Sequence, residues 1–168
     1  DVETAALRRD LLVAGSLTAP LFVLEMGSHL FQSVHDLGDA TLGMERSWQV
    51  QFILATLVLA FPARRFYEKG FPALLRLAPD MNSLVAVGTS AAYLYSVVAT
   101  FMPGLLPAGT VNVYFEAAAV IVTLILLGRY LETRAKGRTS QAIRRLAGLQ
   151  AKTARVRRGP GIVEVDIA

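Results

Sequence analysis

The chain contains no cysteine in 168 residues. That absence removes disulfides, thiolate metal sites and cysteine nucleophiles together. Charge is missing from long stretches where a soluble domain of this size would scatter it. Residues 81–102 hold no acidic or basic side chain, and a helix of that length covers the roughly 30 Å of bilayer hydrocarbon at about 1.5 Å per residue. No internal repeat or low-complexity tract is visible. No small-residue cleavage site follows the first apolar stretch, and acids accompany Arg8 and Arg9 before it, so it reads as a retained span rather than a removable leader.

What is present is 54% hydrophobic residues set against 17 basic and 13 acidic ones, in apolar blocks separated by short charged segments. The blocks cover residues 11–31, 48–61, 81–102 and 111–128. Pro20 and Glu25 interrupt the first, Pro62 ends the second, and Glu116 lies near the start of the fourth. Four transmembrane helices in an all-α membrane bundle are therefore expected. Of the 17 basic residues, only Arg46 falls outside the N-terminal segment, the second connection and the tail. The positive-inside rule assigns those three regions, and so both termini, to the cytoplasm. The connection MPGLLPAGTVN is uncharged and rich in proline and glycine, the composition of an external turn between antiparallel helices.

After the fourth block, RYLETRAKGRTSQAIRRLAG keeps apolar residues near helical spacing, so the helix is expected to continue as a cytosolic stalk and stop at Gly148. Residues 153–157 and 162–167 alternate around Arg158-Gly159-Pro160-Gly161, the pattern of a β-hairpin opening a soluble β-rich domain that is cut off here. Residues 66–77, FYEKGFPALLRL, read as an amphipathic helix in the inner interface, either a docking platform or a basic anchor. The basic tail invites a nucleic-acid reading, but it follows a membrane helix and mixes with acids. Contact with membrane lipid is favoured and nucleic acid is set aside.

Ionisable groups at membrane depth are costly and are functional candidates by default. Glu116 is placed near the outer end of the fourth block and Glu132 sixteen residues later, about 24 Å along a helix, at its inner end. Met81 opens the third block at the inner surface. A thioether beside a carboxylate suits transient capture of Cu(I). The bland alternative makes Met81 a helix-start residue and Glu132 an exposed acid paired with Arg129 or Lys136 at helical spacing. For Glu116 the alternative is a headgroup-level acid. The run Gly88-Thr89-Ser90-Ala91-Ala92 reads as a close-packing patch with self-satisfied hydroxyls. His29, His35, Met26, Met44 and Met102 are assigned to the outer side, where they could receive a soft metal or be scattered surface residues.

The stretches DMNSLVAVGTSAAYLYSVVAT, VYFEAAAVIVTLILLGRYLETRAKGRTSQAI and LAGLQAKTARVRR resemble the copper-transporting heavy-metal P-type ATPases. The resemblance implies a division into a cytosolic N-terminal segment (1–10), two class-specific transmembrane helices (11–65), an amphipathic interfacial helix (66–80), the first two helices of the transport core (81–130), and a stalk with the beginning of the actuator domain (131–168). It makes Met81 and Glu132 entrance ligands and Glu116 part of the exit route, and it puts the chain in a multi-pass bacterial inner membrane. It also implies ATP-driven Cu(I) export, with ATP and Mg bound in other domains of the same polypeptide and a cytosolic copper chaperone docking at residues 66–77. The family's Cys-Pro-Cys, DKTGT and TGE motifs and any Cys-x-x-C domain are not in these residues, so the segment alone is not expected to hydrolyse ATP. Pro62-Ala63 stands where the family commonly has paired glycines, which leaves the angle of the interfacial helix open. Silver, zinc or cadmium transport and a non-enzymatic four-helix membrane scaffold are the competing readings.

Overall fold

A computed structural model describes residues 2–30, 36, 43–149 and 153–166. Among the described residues it holds five α-helices and one antiparallel hairpin: α1 (Val2–Leu30), α2 (Gly43–Ala60), α3 (Arg64–Leu75), α4 (Met81–Phe101), α5 (Phe115–Gly148), β1 (Thr153–Arg158) and β2 (Gly161–Asp166). Two compact units, Asp1–Tyr130 and Leu131–Ala168, divide within α5.

In the first unit α1 presents a seam of Leu7, Leu11, Ala14, Thr18, Leu21 and Glu25, spaced alternately by four and three residues, and Leu7, Ala14 and Leu21 on it are buried. That spacing keeps one face turned to neighbouring helices while Leu12, Phe22 and Val23 stay exposed. Thr18 on the seam shares a 2.9 Å hydroxyl hydrogen bond with Thr123 of α5. Gln51 of α2 donates to Glu25 at 3.2 Å. Helix α2 meets α4 through Thr56 and the Tyr93 hydroxyl, 2.7 Å apart. Phe52, Tyr93 and Phe115 form a ring cluster at centroid distances of 5.9 to 6.0 Å, with Phe101 against Phe52 at 5.1 Å.

Helices α4 and α5 run antiparallel. Arg129 donates to Asn82 at 3.3 Å at one end, and the Tyr114 amide donates to Ser96 Oγ at 2.6 Å toward the other. The connecting strap includes a 3-10 turn, Pro103–Leu105, and a turn at residues 107–110 in which Gly109 has φ +83°. Tyr95 holds that turn by donating to the Thr110 carbonyl at 2.5 Å. Because Asn112 and Tyr114 serve this strap, α5 begins at Phe115 rather than at residue 111.

The break between α2 and α3 follows from Pro62. Proline has no N–H for the Val58 carbonyl, which accepts instead from Ala63 at 3.1 Å, and the two helix axes diverge by 67°. Proline therefore produces the break, and the angle the sequence left open is 67°. Helix α3 then lies against α4 at Gly70. A Cβ there would come within 2.7 Å of the Asn82 carbonyl carbon and 2.9 Å of the Ser83 nitrogen, and Ser83 Oγ donates to the Gly70 carbonyl at 2.8 Å.

By length and composition, α1 over Val2–Gly27 and α4 are able to cross a membrane, and α2 with α3 would be a third span if the bent pair counts as one. A fourth is not confirmed. Glu116, Arg129 and Glu132 confine the uncharged part of α5 to residues 117–128, about 18 Å of helix.

The second unit comprises the exposed end of α5, which stops at Gly148 as expected, and the hairpin. Its strands pair from Thr153↔Asp166 to Arg158↔Gly161, and Gly159, at φ +69°, supplies the left-handed turn conformation. Val156, Ile162 and Val163 are exposed, so the hairpin buries little by itself.

Candidate functional site

The three residues singled out from sequence fall in different settings. Met81 is the first residue of α4 and its side chain is half exposed. Its neighbour Asp80 caps the helix. Ser83 N donates to Asp80 Oδ1 at 3.0 Å, Asn82 Nδ2 donates to Oδ2 at 3.0 Å, and the Asp80 amide donates back to Ser83 Oγ at 3.3 Å, while the one Ser83 hydroxyl proton is shared between the Gly70 carbonyl at 2.8 Å and Asp80 Oδ1 at 3.2 Å. This cap fixes where α4 begins and hence where Met81 stands.

The Ser83 amide, with Asn82 and the Ser83 hydroxyl adding to it, holds the Asp80 carboxyl below its ordinary value of 3.8. A depressed folded value means that the cap's ionic contribution is complete above the ordinary carboxylate range and is lost as pH falls through the folded value. We expect the thermal midpoint to drop below about pH 4, and Asp80→Asn, which keeps an acceptor, to flatten that part of the profile. Equal slopes for wild type and variant in thermal melts would contradict the assignment.

Glu116 sits in the first turn of α5, partly buried, where a carboxylate also complements the positive end of the helix dipole. Since Asn82 pairs with Arg129 and Ser96 with Tyr114, Met81 and Glu116 lie at opposite ends of the α4–α5 pair. Glu132, in the second unit, is half exposed and pairs with Lys136 at 2.6 Å. Lys136 is one of the two partners, with Arg129, that the exposed-acid alternative offers, and exposed pairs of this kind are worth about 0.3–0.5 kcal/mol.

Among the described residues no three histidine, aspartate or glutamate side chains gather to hold a metal ion. His35 lies outside the described residues, as do the side chains of His29 and Met44. Met26 and Met102 are exposed. In the small-residue patch, Thr89 donates to the Val85 carbonyl at 2.6 Å and bonds the Tyr67 hydroxyl at 2.8 Å, so its hydroxyl also ties α4 to α3. Gly88 has nothing within 4 Å of a would-be Cβ and is not a packing contact.

The polar pair that sequence reasoning passed over is Glu25 with Gln51. Gln51 is buried, 2% exposed, and its side-chain oxygen has no hydrogen-bond partner among the described residues. Glu25 looks like an interruption when the block is read linearly. The four-and-three spacing of the α1 seam was the signal that it faces inward.

No protein-family model matches the chain. Copper-transporting ATPase 1 of Rhizobium meliloti is 60% identical over 168 residues, which is 100% of this chain and 20% of that protein. A silver exporting P-type ATPase of Salmonella typhimurium is 41% identical over 145 residues, covering 83% of the chain and 17% of its own length. An Enterococcus hirae protein named a probable copper-importing P-type ATPase A is 38% identical over 156 residues, covering 90% and 20%. The chain thus spans about one fifth of the length of the curated relatives it matches. With 60% identity running from end to end of its sequence, the chain belongs to the copper-transporting P-type ATPases.

Proposed function

We propose that this chain is the front membrane part of a pump that exports Cu(I) at the expense of ATP, with ATP and Mg bound in other domains. The observation that carries the reading is 60% identity across the whole chain to proteins named copper-transporting ATPases. In this reading Met81 and Glu132 form the ion entrance on the cytoplasmic side and Glu116 belongs to the exit route. Support comes from the chemistry of the donors and from sequence order. A thioether is a soft ligand for Cu(I), and isolated carboxylates allow transient capture and release better than a closed cage would. The positions of Met81 and Glu116 at opposite ends of the α4–α5 pair are consistent with an inward and an outward role.

The reading also takes the first unit as four crossings of a bacterial inner membrane with both termini cytoplasmic. Arg8, Arg9, Arg64, Arg65 and Arg129 all belong to the end of the unit where Asp10 meets Arg65 and Asn82 meets Arg129, which agrees with the positive-inside rule. Helix α5 beyond Arg129 would serve as the stalk and the hairpin as the start of the actuator. Residues 66–77 would receive a copper chaperone. Silver is the second reading, favoured by the Salmonella relative's name, because a thioether does not distinguish Ag(I) from Cu(I).

The test is metal-stimulated phosphorylation of the full-length protein. Met81→Leu and Glu132→Ala are each expected to raise the Cu(I) concentration for half-maximal phosphorylation about tenfold, or about 1.4 kcal/mol of ion affinity. Unchanged activation by both would remove the entrance assignment. Activation by Zn(II) but not by Cu(I) or Ag(I) would remove the transport reading.

A further inference from the structure

At the basic end of the first unit, two adjoining cavities meet at Arg9 and Val13. One, of about 590 Å³, lies along α1 between Arg8, Leu12 and Tyr130. The other, of about 470 Å³, lies against the α2–α3 bend at Phe61, Pro62 and Arg64. Charge is unbalanced here. Arg9 and Arg65 share the single carboxylate of Asp10, at 3.3 and 2.5 Å, and Arg64 pairs with Glu68 at 2.5 Å. Arg8 has no carboxylate partner among the described residues. Four guanidiniums therefore face two carboxylates. The Arg65 Nε is buried without a hydrogen-bond partner among the described residues and its guanidinium is committed to Asp10, so the donors open to a ligand in these cavities are those of Arg8, Arg9 and Arg64.

The same cavities also carry apolar, open wall. Leu12 is 62% exposed and Phe61 67% exposed. A free inorganic anion would use the arginines and leave that surface wet. A molecule with a phosphate at one end and a hydrocarbon chain at the other would satisfy both. The place also suits such a molecule. Arg8 and Arg9 lie just before the uncharged stretch of a helix long and apolar enough to cross a membrane, and Arg64 begins the helix that turns 67° away from α2, which would put the guanidiniums at headgroup depth.

We propose that Arg8, Arg9 and Arg64 hold the phosphate of one anionic phospholipid, with an acyl chain laid along Leu12, Val13 and Phe61. The lipid bridges the start of α1 and the α2–α3 bend and neutralises the excess charge. None of Met81, Glu116 and Glu132 lines these two cavities, and the proposal does not depend on the transported metal.

The experiment is native mass spectrometry of the full-length protein released from nanodiscs containing phosphatidylglycerol and phosphatidylcholine in equal amounts. Wild type is expected to retain phosphatidylglycerol selectively, and Arg8→Gln/Arg9→Gln to lose about tenfold of that retention. Arg155→Gln/Arg157→Gln, which removes the same charge from the hairpin, is expected to keep it. Arg8→Gln alone, on an exposed side chain with no ion pair in the fold, is expected to lose part of it with an unchanged melting temperature. Val13→Trp puts a bulky ring where the two cavities meet while keeping every charge, and is expected to lose retention too. Equal retention of phosphatidylcholine, retention by Val13→Trp, or displacement of the lipid by millimolar inorganic phosphate alone would overturn the proposal.

Discussion

Replacing Gly70 with alanine is expected to separate α3 from α4. The added methyl would lie within 2.7 Å of the Asn82 carbonyl carbon and 2.9 Å of the Ser83 nitrogen. Both are backbone atoms of a capped first turn, so neither can move without loosening the Asp80 cap or the Ser83–Gly70 hydrogen bond. Overpacking usually costs about 1–3 kcal/mol, and an obstacle made of backbone puts this case at the upper end, about 3 kcal/mol. Because Met81 belongs to that same turn, its position should suffer with the stability. Thermal unfolding of the purified protein in detergent checks this, and a midpoint within error of wild type would show that the helices pack elsewhere.

Phe115→Ala is expected to be comparably damaging. Phe115 is fully buried at the start of α5, where its ring contacts Phe52 of α2 and Tyr93 of α4 at 5.9 Å. Removing a buried phenylalanine costs about 3–5 kcal/mol in soluble cores, where the transfer of apolar surface and the cavity both count. Lipid tails are as apolar as the ring, so in a membrane the transfer part shrinks and lost packing remains. The lower end, about 3 kcal/mol, is the expected loss. Phe115→Leu should recover most of it. An alanine variant as stable as wild type would mean that the ring cluster does not join the three helices.

Much of this architecture was legible from residue patterning. The uncharged run behind Asp80 marked α4 to within one residue of its end, and the basic continuation after Gly128 marked a helix that runs on to Gly148. The Gly159-Pro160 turn and its alternating flanks marked the hairpin. Pro62 marked the break, because a missing N–H is a local property, but not its 67° size, which depends on what α3 packs against. The contact at Gly70 was invisible, since nothing in the sequence says which glycine meets a neighbouring backbone. The start of α5 was displaced by four residues because Asn112 and Tyr114 bond into the strap, a tertiary demand on residues that read as apolar helix. Among the candidate site residues, sequence order placed Met81 and Glu116 at opposite ends of the α4–α5 pair, as the hydrogen bonds across that pair place them. The inward turn of Glu25 toward Gln51 was not read, because a linear hydropathy scan treats every charge as an interruption whichever face it occupies.

The transport reading requires that Met81 and Glu116 face opposite sides of a membrane, and the absence of cysteine from these residues makes that directly measurable. Single thiols introduced into the full-length protein as Ala5→Cys, Ala108→Cys and Ser140→Cys, located by peptide mapping, can be challenged with a membrane-impermeant maleimide. The account predicts that Ala108→Cys reacts in intact cells, while Ala5→Cys and Ser140→Cys react only after permeabilisation. Reaction of positions 108 and 140 from the same side, or of positions 5 and 140 from opposite sides, would contradict it.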